Sequence, residues 1–139
     1  MKTLTPPLIK FGLVAILGTT GFRVALSTFL TEGHFNFIIP LSILFTIAMF
    51  MAGRHFGKKD HEYLPIYDVG FRFHLVTFLQ FHVVSYAWAL FGYPSKLENI
   101  GVLHNTLIFW SILLGFHTYY YVQAKKNSIR HINKEDLFD

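Results

Sequence analysis

The sequence predicts an all-α protein, a bundle of four transmembrane helices arranged as a tandem repeat of two helical hairpins, with both termini on the cytoplasmic side. Three observations predict it. Four apolar stretches, about residues 10–30, 35–52, 69–93 and 101–122, fill the chain. Each is long enough to cross a hydrocarbon core of about 30 Å at about 1.5 Å of rise per residue. Charged residues make up only 14 % of the 139 residues and hydrophobic ones 53 %, against about 25 % charged in an ordinary soluble domain. The basic residues are also sorted. Lys2, Lys10, Arg54, Lys58, Lys59, Lys125, Lys126, Arg130 and Lys134 flank the ends that share the N-terminus, and the two opposite loops hold only Lys96. By the positive-inside rule the N-terminus, the central loop and the tail are cytoplasmic.

The chain reads as one integral membrane domain, 1–139, with a cytoplasmic tail over 123–139. Lys2 and Lys10 resemble the charged start of a signal peptide, but Gly18–Arg23 offers no clean small-residue cleavage site and the apolar run resumes after Arg23. The first span is therefore read as a retained helix. Its small residues, Gly12, Ala15, Gly18, Thr19, Thr20 and Gly21, permit close helix approach. In the second span Pro40 predicts a kink near the first turn. The third opens after Asp68, read as its N-cap. It is the most polar span, with Arg72, His74, Thr77, Gln80, His82 and Ser85 pointing all round a helix. That places it inside the bundle or at an oligomer contact. The fourth ends in Tyr119, Tyr120 and Tyr121, then Lys125 and Lys126, an aromatic belt followed by a basic anchor. The tail beyond is expected to fray or to form a short surface helix. Chain length and the lack of organelle-targeting features point to the bacterial inner membrane.

A repeat occurs at an offset of 62 residues. Lys10-Phe11-x-Leu13-Val14-x-x-Leu17 matches Arg72-Phe73-x-Leu75-Val76-x-x-Leu79, and Gly53-x-His55 falls on Gly115-x-His117. Each unit crosses twice, so the two copies share one orientation about an axis along the membrane normal.

Arg23 is the most informative single residue. It lies about 18 Å along its helix from Phe11, past the midplane, where an arginine costs about 2.5–3.5 kcal/mol on insertion scales. No acidic residue falls in any span, so depth matching gives it Gln80, His82 and Ser111 as neighbours, or an anion as ligand. Arg72, in the first turn of its helix, reads as an interfacial anchor. Arg54 belongs to a central loop, Gly53–Asp68, that gathers His55, Lys58, Lys59, Asp60, His61, Glu62, Tyr63 and Tyr67. That loop suits an acidic headgroup, a soluble partner or simple anchoring. His74 and His117 fall at one depth, an arrangement that b-type haem ligation or plain interhelical packing would use. His82 and His104 differ in depth by about 7 Å. The absence of cysteine removes disulfides, thiolate nucleophiles, iron–sulfur clusters and cysteine-ligated zinc. Hydrolytic catalysis has no support, since no Ser–His–acid set, Gly-rich phosphate loop or paired carboxylates can assemble. The chain is read as a non-enzyme with no nucleic-acid partner.

The pattern resembles the GtrA-like family of small four-helix membrane proteins. Lys10-Phe11-x-x-Val14-Ala15 with Thr19 is similar to that family's opening Arg-Phe-x-x-Val-Gly with a nearby Thr. Arg54-x-Phe56 resembles its exit from the second helix, and Arg72-Phe73 its second basic–Phe entry. Gly53 stands where the family has Asn, and Ala15 where it has Gly. The resemblance implies movement of a polyprenyl-phosphate-linked sugar across the membrane for cell-surface polysaccharide assembly. Arg23, Arg54 and Arg72, with Gln80 and His82, are then the candidate substrate-binding residues, the arginines chosen by charge. The alternatives are a haem-binding anchor of a redox complex, through His74 and His117, and a structural subunit without chemistry or cofactor. Four helices make a thin barrier, so membrane lipids and a homo-oligomer or larger complex are the expected partners.

Overall fold

A computed structural model describes residues 4–60 and 70–130, with side chains through Lys126. Among them are four helices, α1 (Pro6–Thr31), α2 (Ile38–Asp60), α3 (Phe71–Leu90) and α4 (Ile100–Arg130), with a 3-10 turn at Phe35–Phe37 before α2. All four are long and apolar enough to cross a membrane, and the chain is a multi-pass membrane protein. The starts of α1 and α3 and the ends of α2 and α4 form its basic end; the turns at residues 32–37 and 91–99 form its hairpin end.

Local chemistry sets the boundaries. Pro6 and Pro7 open α1 at positions whose N–H groups would have no helical partner. Pro40 lies in the first turn of α2 for the same reason. Three boundaries differ from expectation. Helix α2 continues through Gly53 and Gly57 to Asp60, seven residues past Gly53, because Asp60 finds buried partners there. Helix α3 begins not at an Asp68 cap but after Gly70, whose φ of +75° suits glycine and whose carbonyl accepts the His74 N–H at 3.1 Å. Helix α4 runs on to Arg130, so the first part of the predicted tail is helical. Residues 61–69, with His61, Glu62, Tyr63, Tyr67 and Asp68, and residues 131–139 lie outside the described residues.

Helix α1 packs against both α2 and α3, and α4 packs against α3. Apart from Leu8, the residues α1 buries fall on every fourth position, Pro7, Phe11, Ala15, Thr19, Arg23 and Ser27, a ridge that can lie in a neighbour's groove. Near the basic end Leu8, Phe11, Ala15 and Phe73 form the apolar core, with Met49, Ala52, Phe56 and Val76 against it. At mid-depth an aromatic layer joins the helices: Phe81 of α3 meets Phe22 of α1, Phe45 of α2 and Trp110 of α4 at 6.4, 6.2 and 5.0 Å between centroids.

The helix registers have the form that a tandem repeat requires. Phe11–Phe73, Thr19–Gln80 and Ser27–Trp88 place α1 and α3 parallel at offsets of 62, 61 and 61 residues. In the first hairpin Phe11–Phe56, Phe22–Phe45 and Phe29–Phe37 join residues whose numbers add to 66 or 67. In the second, Phe71–Tyr121, His74–His117, Phe81–Trp110 and Tyr86–His104 add to 190–192. Moving both helices of the first hairpin by the 62-residue repeat raises its sum by 124, to 190 or 191. The two hairpins therefore share one register, and the matched residues Phe11 and Phe73 touch.

Arg72 is not a lone interfacial anchor. Its Nη2 donates to Asp60 Oδ2, while Thr5 Oγ1 donates to Asp60 Oδ1. The knot ties the N-terminus, the end of α2 and the start of α3 together around a carboxylate that is only 2 % exposed. Asp60→Ala leaves these donors without their acceptor, at a cost of about 1–3 kcal/mol. Denaturant unfolding in detergent would register that loss.

Candidate functional site

The parallel seam between α1 and α3 carries the polar interior. At mid-depth Gln80 Nε2 donates to Thr19 Oγ1 at 2.8 Å, and both residues are buried. One turn nearer the hairpin end Arg23 is 8 % exposed, and its Nη2 donates to Glu98 Oε2 at 2.7 Å. The other Glu98 oxygen accepts the Ser27 hydroxyl at 2.5 Å and the Ser95 backbone N–H at 3.0 Å. Trp88 Nε1 donates to Ser27 Oγ at 3.0 Å. Glu98 thus arrives from the 91–99 turn and folds back onto the end of α1. Charge is met by charge, and a row of hydrogen bonds runs from midplane to hairpin end.

This corrects the expected surroundings of Arg23. Its main partner is Glu98, an acid outside every predicted span, and not Gln80, His82 or Ser111. Ser111 is exposed on α4 and bonds to the carbonyl of Leu107. Gln80 does lie on the same seam. His82 is buried on another face of α3, with Nδ1 2.8 Å from the Phe78 carbonyl. Arg54 is exposed on α2. Of the five candidate substrate-binding residues, the structure brings Arg23 and Gln80 to one seam and holds Arg72, Arg54 and His82 elsewhere.

Some polar atoms along the helices keep unused capacity. Arg23 Nε and Gln80 Oε1, a donor and an acceptor, are buried with no hydrogen-bond partner, as are His82 Nε2 and Ser85 Oγ. Buried polar groups without partners are uncommon. Inside a membrane such groups mark places that handle polar species. Thr5, Ser27, Asp60, Trp88 and Glu98 were not singled out as partners of these groups from the sequence. The every-fourth pattern of α1 could have pointed to Ser27; nothing local pointed to Glu98.

His74 and His117 come together as their depths predict, with centroids 4.2 Å apart and planes inclined by 27°. Two imidazoles ligating one haem iron aim their nitrogens at the metal from opposite sides of the macrocycle. Rings stacked face to face at this separation leave no room for a plane between them, so the pair does not fit haem ligation. His82 and His104 do not pair either; His82 packs on Trp110 and His104 on Tyr86. Among the described residues no group of three or more His, Asp or Glu side chains could hold a metal ion.

No protein-family model matches this chain, and neither a curated protein nor a solved structure matches it.

Proposed function

We propose that this chain is a transport subunit of the bacterial inner membrane, with both termini cytoplasmic, that helps to pass an anionic lipid-linked sugar across the bilayer. The observation that carries the reading is the pair of unused buried groups, Arg23 Nε and Gln80 Oε1, on the seam between the two hairpins. Transporters built from repeats hold their substrates near the midplane where the repeats meet. The Arg23 charge is already balanced by Glu98, so the seam offers hydrogen bonds to hydroxyls rather than a free cation to a phosphate. The basic end complements it. Lys10, Arg54, Lys58 and Lys59 are exposed there, and Asp60, the one acid described at that end, is buried against Thr5 and Arg72. Anionic headgroups are attracted to such a surface. The sugar-linked substrate and its place in polysaccharide assembly rest on the GtrA-like resemblance.

Gln80→Leu keeps the Arg23–Glu98 pair and removes the midplane acceptor. In proteoliposomes it is expected to lower transfer of a labelled polyprenyl-phosphate sugar at least about tenfold, the rate equivalent of about 1.4 kcal/mol, with insertion intact. Transfer at the wild-type rate would overturn the reading.

A structural subunit is the second reading. Only 6 % of the α2 and α4 spans is buried, against 22 % and 28 % for α1 and α3, so two helices are left to face lipid, a second copy or another chain. A stoichiometric partner that co-purifies, and whose activity needs this chain but not Gln80, would favour it.

A further inference from the structure

The two ends of the α1–α3 seam are held shut by knots of the same design. At each end a carboxylate from outside the seam accepts from an arginine with one oxygen and from an α1-side hydroxyl with the other. Asp60, at the end of α2, takes Arg72 and Thr5; Glu98, in the 91–99 turn, takes Arg23 and Ser27. Thr5 and Ser27 are about 33 Å apart along the helix at its usual rise, which matches a hydrocarbon core of about 30 Å. The knots therefore lie near the two membrane surfaces. Thr19 and Gln80, bonded to each other and buried, lie between them.

Behind the knots the two ends differ. From the basic end, the way to Gln80 passes Asp60 and then the apolar core of Leu8, Phe11, Ala15 and Phe73, with the Phe11 and Phe73 rings 5.0 Å apart. From the hairpin end no such layer intervenes. The residues α1 buries beyond Thr19 are Arg23 and Ser27, and α3 buries Ser85 there and sends the Trp88 indole N–H to Ser27. Water competes with each of these polar contacts, because a hydrogen bond within the protein is exchanged for one to solvent at little net cost. It gains nothing of the kind from an apolar plug.

We propose that Glu98 is the gate of the seam. When it releases Arg23 and Ser27, the 91–99 turn swings off α1 and water enters from the hairpin end as far as Thr19 and Gln80, while the basic end stays shut. The structure is the closed state. Turns between rigid helices are where such motions hinge, and Tyr93, Lys96 and Leu97 of this turn are already exposed. Opening separates two charges, but each recovers the hydration that burial removed, which offsets much of the lost attraction. Arg23 Nε, buried without a partner, also gains one. The gate belongs to the path that the transport reading uses and rests on that reading; its opening needs no substrate.

The chain contains no cysteine, so Thr19→Cys places a single thiol in the seam. Membrane vesicles of both orientations are treated with a small membrane-impermeant thiol reagent, and Lys96→Cys and Lys58→Cys identify the hairpin and basic faces. Thr19→Cys alone should react slowly from either face. Adding Glu98→Gln, which keeps the shape and removes the counter-charge, should speed labelling from the hairpin face at least about tenfold, the size of a lost hydrogen bond to a charged group. The basic face should stay slow. Adding Asp60→Asn instead should leave both faces slow, because the Phe11–Phe73 layer remains. Should Glu98→Gln not fold, Trp88→Phe keeps both charges and should raise hairpin-face labelling at least about twofold, the size of a lost neutral hydrogen bond. Wild-type transfer by Gln80→Leu beside sided labelling would overturn the transport reading and support the gate. Unchanged labelling in the Glu98 and Trp88 variants, or equal speeding from both faces or by Asp60→Asn, would mean no gate or a general loosening, and would overturn it.

Discussion

Replacing Glu98 with alanine is expected to destabilise the protein by about 3–5 kcal/mol, because it leaves the Arg23 guanidinium buried without its counter-charge. The two side chains are 10 % and 11 % exposed, well out of the solvent that weakens surface pairs. Glu98 also accepts from Ser27 and from the Ser95 N–H, so the 91–99 turn loses its attachment to α1 in the same step. The Arg23→Leu/Glu98→Leu double variant should recover most of the loss, since replacing a buried ion pair with apolar residues is often close to neutral. Unfolding of the detergent-solubilised protein by denaturant measures both. A loss below about 1 kcal/mol in the single variant would mean that the pair behaves as an exposed one.

Phe11→Ala should cost about as much, about 3–5 kcal/mol, by a different route. The Phe11 ring is 1 % exposed and lies 5.0 Å from Phe73 and 6.3 Å from Phe56. It therefore joins three helices at the contact where the two hairpins meet. Lipid tails offer little hydrophobic gain for helix association, so packing of this kind carries much of the stability, and a cavity here is not easily refilled. Phe50→Ala, on the exposed face of α2, serves as the comparison. It should change stability by less than about 0.5 kcal/mol, as a substitution away from such packing does. Equal effects at the two positions would argue against the seam as the centre of the fold.

The fold was legible because membrane crossing imposes length and composition. Four runs of apolar residues could only become four helices, since a backbone in hydrocarbon must satisfy its own hydrogen bonds. The repeat offset of 62 residues was also visible in the sequence, and it recurs as the 61–62 residue register between α1 and α3. The small residues of α1 were noted as a group, yet only Ala15 and Thr19 among them are buried. Gly18 and Gly21 are exposed, and spacing rather than size separates the two sets.

The partners of the charged groups were not legible. Arg23 and Glu98 are 75 residues apart in the chain, and Thr5 and Asp60 are 55 apart. A search confined to residues within apolar spans passes over both acids, because each sits at or beyond the end of its span. Depth along a helix is a one-dimensional property and can be counted, which is why His74 and His117 were matched correctly. Whether they would ligate or stack depends on ring orientation, which helix rotation sets.

By itself, then, the sequence determined the number of crossings, the segregation of positive charge to one end and the 62-residue offset that the two hairpins share, since these follow from composition and period. Tertiary structure alone decided which buried charge meets which, that the histidine pair stacks, and which polar atoms are left without partners. Those outcomes depend on how rigid helices rotate against one another and where a turn folds back, and no local stretch of sequence encodes either.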